Sequence, residues 1–375
     1  MRRKIFLSIV ILLILFTTPL LGVIIDGSSV LSFLVFPPKT KFVSHQPFLP
    51  LFFYLITALA AIILILFIIR IIKSQRKILV EKIVLKKFPQ WGWFGLFLII
   101  GGWILAWTRF EWANDIQIFT FTPIWLGYII LVNAFTYMRT GTSLITHSSK
   151  YLLLLFLFSA VFWWYYEYLN QFTNNWYYVG LDHLNNLNYF IYATIPFSTV
   201  LPAVISTWFL LKTFPRLSLG LENYSPLKLV GSKKFWWLIL LISILTLSAT
   251  FIYPQYLFPF MWLSPMLIIA AVIIISGGKT IINNIESGNW KDLYLLAVAA
   301  LICGFFWEMW NYYSLIRWEY SIPFVHRYLI FEMPVLGYLG YLPFGIQCGF
   351  IGLIINRLTN SDLDYSVNSR KESGL

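Results

Sequence analysis

The sequence predicts an all-α fold, a polytopic bundle of about ten membrane-spanning helices, and three observations predict it. Of 375 residues, 59% are hydrophobic and 11% charged, and mean hydropathy is +0.76, far outside the composition of a water-soluble domain. The apolar residues come in runs of about 20, the length that crosses a hydrocarbon layer as a helix. Runs such as 235–250 are long and mostly apolar, where the strands of a membrane barrel would alternate.

In chain order the runs fall near 5–25, 51–72, 91–108, 118–138, 151–168, 189–211, 235–253, 258–277, 293–311 and 335–356. The first follows Met1-Arg2-Arg3-Lys4 and looks superficially like a signal peptide. Its length and the lack of a small-x-small cleavage site predict a retained anchor. Ten spans put both termini and the even-numbered connections on one side. That side carries Arg76-Lys77, Lys82, Lys86-Lys87, Lys228 and Lys233-Lys234. Of the 27 Lys and Arg residues only Lys39, Lys41, Arg109, Arg317 and Arg327 fall on the other, so the basic side is cytoplasmic by the positive-inside rule.

Short loops and the absence of organellar signals point to a plasma (cell) membrane. The net charge of +12 follows from this asymmetry and from anionic inner-leaflet lipid; no nucleic acid partner is expected, since the basic residues lie between spans. Residues 1–358 are expected to form a single transmembrane domain, and 359–375 a disordered cytoplasmic tail, being polar and poor in aromatics. Cys303 and Cys348 lie in apolar runs and give no disulfide framework. Activity is then left to the membrane body and its short loops.

A repeated pattern picks out the candidate site. Phe162-Trp163-Trp164-Tyr165-Tyr166-Glu167-Tyr168-Leu169-Asn170 resembles Phe305-Phe306-Trp307-Glu308-Met309-Trp310-Asn311, each an aromatic run followed by Glu-x-x-Asn. Each copy continues to a second aromatic group, Trp176-Tyr177-Tyr178 or Trp318-Glu319-Tyr320, and then to a span marked by Pro196 and Pro202 or by Pro334 and Pro343. A weaker third copy surrounds Glu111. The units 91–138, 151–212 and 292–357 each start from the cytoplasmic side, which predicts parallel internal repeats and places Glu111, Glu167, Glu308 and Glu332 near the outward interface.

Residues three apart share a helix face, and an ionisable group in the apolar layer costs about 2.5 kcal/mol or more, so it is usually paired, wet or functional. Glu167, Glu308 and Glu332 are therefore the candidate acid-base groups, with His326 as a proton carrier because Glu319 and Glu332 are close in sequence. Asn170 and Asn311 are expected to orient the acids or the substrate, and Trp163, Trp164, Trp176, Trp307, Trp310, Trp318 and Tyr338 to line the binding cavity. Interfacial aromatic belts and solvated helix ends are the plainer reading of the same residues. No His pair has ligand spacing, so no metal is expected, and no cofactor motif is present.

The stretches from Trp163 to Pro196 and from Trp307 to Pro334 resemble the membrane lycopene cyclase domain, whose repeats join an acid-bearing aromatic helix end, a Trp-Tyr patch and a Pro-marked next helix. The resemblance implies acid-triggered isoprenoid cyclisation, with a protonated carboxyl as donor and aromatic faces stabilising a carbocation. The family's paired acids after the proline are missing: Phe197-Ser198 follow Pro196, and Glu332 precedes Pro334. Three functions are compatible with the sequence. One is an enzyme acting on an isoprenoid or other lipid from an outward-facing, carboxylate-lined aromatic cavity; the second is a proton-coupled transporter or lipid translocator; the third is a non-catalytic assembly protein. Membrane lipids and a lipophilic small molecule are the expected partners. A protein partner is not specified.

Overall fold

Each apolar run folds as a helix. The structure, a computed structural model, describes residues 2–75, 84–181, 184–359, 361 and 363. The basic stretch from Arg76 to Lys82 and nearly all of the expected C-terminal tail lie outside the described residues. The principal helices are α1 (Arg2–Asp26), α2 (Pro50–Gln75), α3 (Gln90–Trp107), α4 (Phe121–Thr140), α5 (Ser149–Thr173), α6 (Asn186–Phe197), α7 (Val200–Lys212), α8 (Lys233–Ile252), α9 (Phe260–Ile275), α10 (Lys291–Tyr312) and α11 (Tyr341–Thr359).

Among the described residues nine helical segments are long and apolar enough to cross a membrane, counting α6 with α7 and the 3-10 turn Val335–Gly340 with α11. The chain is thus a membrane-embedded helical protein. The remaining expected run, 258–277, is α9, a helix of 16 residues. At 1.5 Å per residue it spans about 24 Å, less than the ~30 Å hydrocarbon layer.

The chain nevertheless traverses the bundle there. It leaves one end with α8 and is back at that end after α9, where the Leu227 N–H donates to Ile285 O at 2.8 Å. The same end gathers Arg70 on the carbonyls of Gly220 and Asn223, Arg139 on Thr213, Arg357 on Lys279 O, and Lys291 paired with Glu222 at 3.1 Å. At the opposite end Arg109 donates to Tyr313 O and Lys39 to Leu184 O, while Arg317 pairs with Glu319. Among the described residues these side chains therefore gather at two opposite ends of the bundle.

α10 lies at the centre, packed by α7 and α11; α4 and α5 pack on α7, and α1, α8 and α9 form a flanking group beside α11. The core is aromatic as well as aliphatic, with Trp125, Trp208, Trp310, Tyr166 and Phe344 buried. Small residues set the closest approach: a Cβ on Gly345 of α11 would run into the Leu296 carbonyl of α10. α2 is the exception, with only Phe53 and Ile71 buried among its described side chains. It is held near its ends, where Leu49 N donates to Phe324 O and Phe67 meets the rings of Tyr294 and Trp290.

Two interruptions shape the site. The expected span 189–211 is broken between Phe197 and Val200, after Pro196, whose ring supplies no N–H to the helix. Ser159 of α5 spans the gap: its hydroxyl donates to Phe197 O at 2.6 Å and accepts from Leu201 N at 3.0 Å. Between α5 and α6 runs β1 (Trp176–Val179), and after α10 comes β2 (Arg317–Tyr320); the two pair antiparallel, with Trp176 opposite Tyr320 and Tyr178 opposite Trp318. A second small ribbon joins β3 (Leu329–Ile330) to β4 (Met333–Pro334).

Candidate functional site

The two Glu-x-x-Asn segments end α5 and α10, and their asparagines close the turns into the paired strands. α5 stops at Asn174, whose φ of 50° lies in the left-handed region that Asn tolerates better than most residues. Asn170 then donates to Trp176 O at 2.7 Å and accepts from Asn175 N at 2.9 Å. Asn311 makes the corresponding pair with Trp318, donating to its carbonyl at 2.7 Å and accepting from its N–H at 2.9 Å. Both amides are thus occupied by backbone, and neither lines the cavity described below.

The turns carry aromatic donors back onto the glutamates. Glu167 is 1% exposed and Glu308 0%, so neither is a solvated helix end. On Glu167, one oxygen accepts from Tyr178 Oη at 2.6 Å, Trp163 Nε1 at 3.0 Å and Trp176 Nε1 at 3.2 Å. On Glu308, Oε1 accepts from Tyr341 Oη at 2.6 Å and Tyr320 Oη at 2.8 Å, and Trp318 Nε1 supports Tyr320 at 2.8 Å. The buried Oε2 of Glu308 has no hydrogen-bond partner among the described residues. A buried polar atom left so costs about 1–3 kcal/mol unless a proton or a bound group satisfies it.

The halves differ at one position. Trp163 lies one helical turn before Glu167 and bonds it; the residue one turn before Glu308 is Gly304. The space a Cβ would occupy at Gly304 is filled by the ring of Tyr341, which takes over the bond to the acid.

The same donors wall one cavity of about 370 Å³, within the range of small-molecule sites. Trp163, Trp176, Tyr178, Trp307, Trp318, Tyr320 and Tyr341 line it, together with Trp262, Phe121, Tyr192 and, from α2, Phe52 and Ile56. Because the indole N–H of Trp163 and Trp176 and the hydroxyls of Tyr178, Tyr320 and Tyr341 are directed at the acids, few donors are left for an occupant. Arg317 also borders the cavity, held by Glu319 at 2.8 Å. Glu319 accepts in addition from Tyr177, whose hydroxyl is pushed up to about 12 by burial and by that neighbouring acid.

The other sequence candidates lie elsewhere. Trp164 packs with Tyr189, Phe190 and Phe197 and donates to Thr194, and Trp310 is buried against Trp125, Tyr128 and Phe306. Tyr338 donates to Ile330 O at 3.2 Å outside the cavity lining. Glu332 is half-buried at the β3–β4 turn, its carboxyl raised by burial and by Glu319 against the opposing pull of Arg317. His326 is exposed in the preceding loop and Glu111 is exposed after α3. Sequence reasoning did not select Tyr178, Tyr320, Tyr341 or Trp262. The first two carried a signal, the Trp-x-Tyr shared by both copies; Tyr341 and Trp262 come from other helices and carried none.

Fold and site define a membrane-embedded helical protein with two buried acids set behind one aromatic chamber. No protein-family model, curated protein or solved structure matches the chain.

Proposed function

We propose that the protein binds a lipophilic molecule, an isoprenoid or another lipid, in the aromatic chamber and performs acid-base chemistry on it, with Glu308 and Glu167 acting through the tyrosines of the wall. The observation that carries the reading is that both acids are buried and bonded to tyrosine hydroxyls of the same cavity, Glu167 to one and Glu308 to two. A proton leaving the bound molecule passes to the Tyr341 oxygen as the Tyr341 proton passes to Glu308, and the reverse sequence delivers one. Glu308 is the better assigned of the two, because its free Oε2 has room for a second proton position. Glu167, with three donors on one oxygen, is suited to holding negative charge beside the chamber. Positive charge developing on the occupant would meet the π faces of the wall. The resemblance to the membrane lycopene cyclase domain points to the same class of substrate.

The two Glu-bearing hairpins are read as internal repeats, supported by the matching Asn-to-Trp and Tyr-to-Glu hydrogen bonds. Ten crossings with both ends in the cytoplasm are the topology that fits the return of α9 and the grouping of basic side chains at one end. A plasma membrane fits best with that arrangement.

The test is lipid mass spectrometry of the purified protein, followed by turnover of the bound species in phospholipid nanodiscs. Wild type should carry a lipophile distinct from bulk phospholipid and convert it; Glu308→Gln should retain it but convert it ~100-fold or more slowly, the usual weight of a general acid-base group. Conversion by Glu308→Gln at the wild-type rate, or a chamber holding only bulk lipid, would overturn the proposal. The interrupted α6–α7 helix favours a second reading, proton-coupled translocation of the same molecule. In that case wild type moves the lipid between leaflets unchanged and Glu308→Gln stops the movement. A purely structural assembly role has less support, since both acids are withdrawn from the surface.

A further inference from the structure

Beside the chamber lies a second cavity of about 240 Å³, between the start of α4 and the flank of α6. Phe121, Tyr192 and Pro196 line both cavities, so the two meet at these side chains. Thr122, Phe119 and Ile195 belong to the second alone. Phe119 is 51% and Ile195 48% exposed, so the cavity opens at the molecular surface. The one polar side chain shared by the two linings is already occupied, because the Tyr192 hydroxyl donates to Ile118 O. The aromatic chamber and the side cavity are therefore neighbours that share the side chains of Phe121, Tyr192 and Pro196.

We propose that this side cavity is the subsite for the hydrocarbon chain of the chamber's occupant, which reaches the site laterally from the bilayer past Phe121 and Tyr192. The inference rests on the reading that the chamber binds a lipophile, and it narrows the class. The occupant has an extended chain, prenyl or acyl, longer than the chamber, with its reactive end among the Trp and Tyr rings. A compact sterol-like or fully cyclised molecule would have no use for a side channel. Chemistry at one end of a chain whose remainder stays in lipid also spares most of the desolvation that complete extraction from the membrane would require.

The experiment uses the full chain in phospholipid nanodiscs with two long probes carrying a diazirine at the chain end, a prenyl alcohol and a fatty alcohol, and a short-chain alcohol for comparison. Peptide mapping after irradiation should place the chain-end label on the segments holding Phe119, Thr122 and Ile195; whichever long probe does so identifies the chain as prenyl or acyl. Thr122→Trp, which fills the side cavity, should lower retention of that probe roughly tenfold while leaving the short alcohol unaffected. Leu157→Trp, on the exposed face of α5, should change neither. Labelling of wild type alone decides the matter if Thr122→Trp does not fold. Chain-end label spread evenly over lipid-facing helices, or unchanged retention by Thr122→Trp, would remove the side-cavity assignment and leave the chamber reading in place. Failure of wild type to retain any of the three alcohols would remove both.

Discussion

At the scale of single residues, the site is organised by what each acid accepts rather than by what it touches in the cavity. Gly304 shows how little room there is: a methyl group there meets the Tyr341 ring, so Gly304→Ala should push that ring off Glu308. We expect a loss of about 1–3 kcal/mol, typical of overpacking, together with slower turnover. Gly101, with open space around its would-be Cβ, is the control, and Gly101→Ala should be neutral or slightly stabilising in thermal unfolding of the detergent-solubilised protein. Glu332 tests a different force. Its carboxyl is raised in the folded state, mainly by burial, so it binds a proton more tightly there than in the unfolded chain. The stabilisation is complete below the ordinary carboxylate range and is lost as pH rises through the raised value. Wild-type Tm should fall across that window relative to Glu332→Gln; a constant gap between the two proteins would contradict this. The Glu-x-x-Asn pattern made Glu167 and Glu308 visible in the sequence, because an acid inside an apolar run is costly wherever it ends up. The task of the asparagines was not visible, since spacing alone cannot distinguish a side chain facing a ligand from one that catches the next turn of backbone.

At the scale of elements, a broken helix replaces a simple span. From 189 to 211 the sequence reads as one apolar run punctuated by Pro196 and Pro202, and hydropathy does not register a gap that another helix fills. Ser159 is that filling, and its single hydroxyl satisfies a carbonyl and an N–H that the break would otherwise orphan. Ser159→Ala should cost about 1–3 kcal/mol in reversible denaturation, and Ser159→Thr should recover most of it if the extra methyl is accommodated. No change in Ser159→Ala would mean that the break is satisfied in another way. The strands β1 and β2 were equally hidden: four residues each, aromatic and half-buried, they read from the sequence as interfacial belt. Only their mutual pairing makes them strands, and pairing across so long a separation leaves no local trace.

At the scale of the whole molecule, the helical membrane architecture was the most legible feature, because ~20-residue apolar runs and the burial demands of backbone in lipid leave few alternatives. All ten runs are helical, and α9 alone falls short of full length. The sidedness proposed for the bundle can be read with introduced cysteines, since Cys303 and Cys348 are both free and buried and should not compete. Ser287→Cys, in the connection before α10, should react with a membrane-impermeant maleimide only in inside-out vesicles. Ser28→Cys, after α1, should react only in intact cells. Labelling of both from the same face would mean that one of the traverses is not a crossing.

The β1–β2 ribbon has a mechanical consequence. Tyr178 and Tyr320, which hold the two acids, lie two rungs apart on one short antiparallel ladder, each opposite the tryptophan of the other strand. Sliding either strand by one residue would turn its side chains over and take its tyrosine off the acid, while Glu308 would keep Tyr341. The two acids are yoked through the ribbon, so a movement that displaces one strand is passed to the partner strand that holds the other acid.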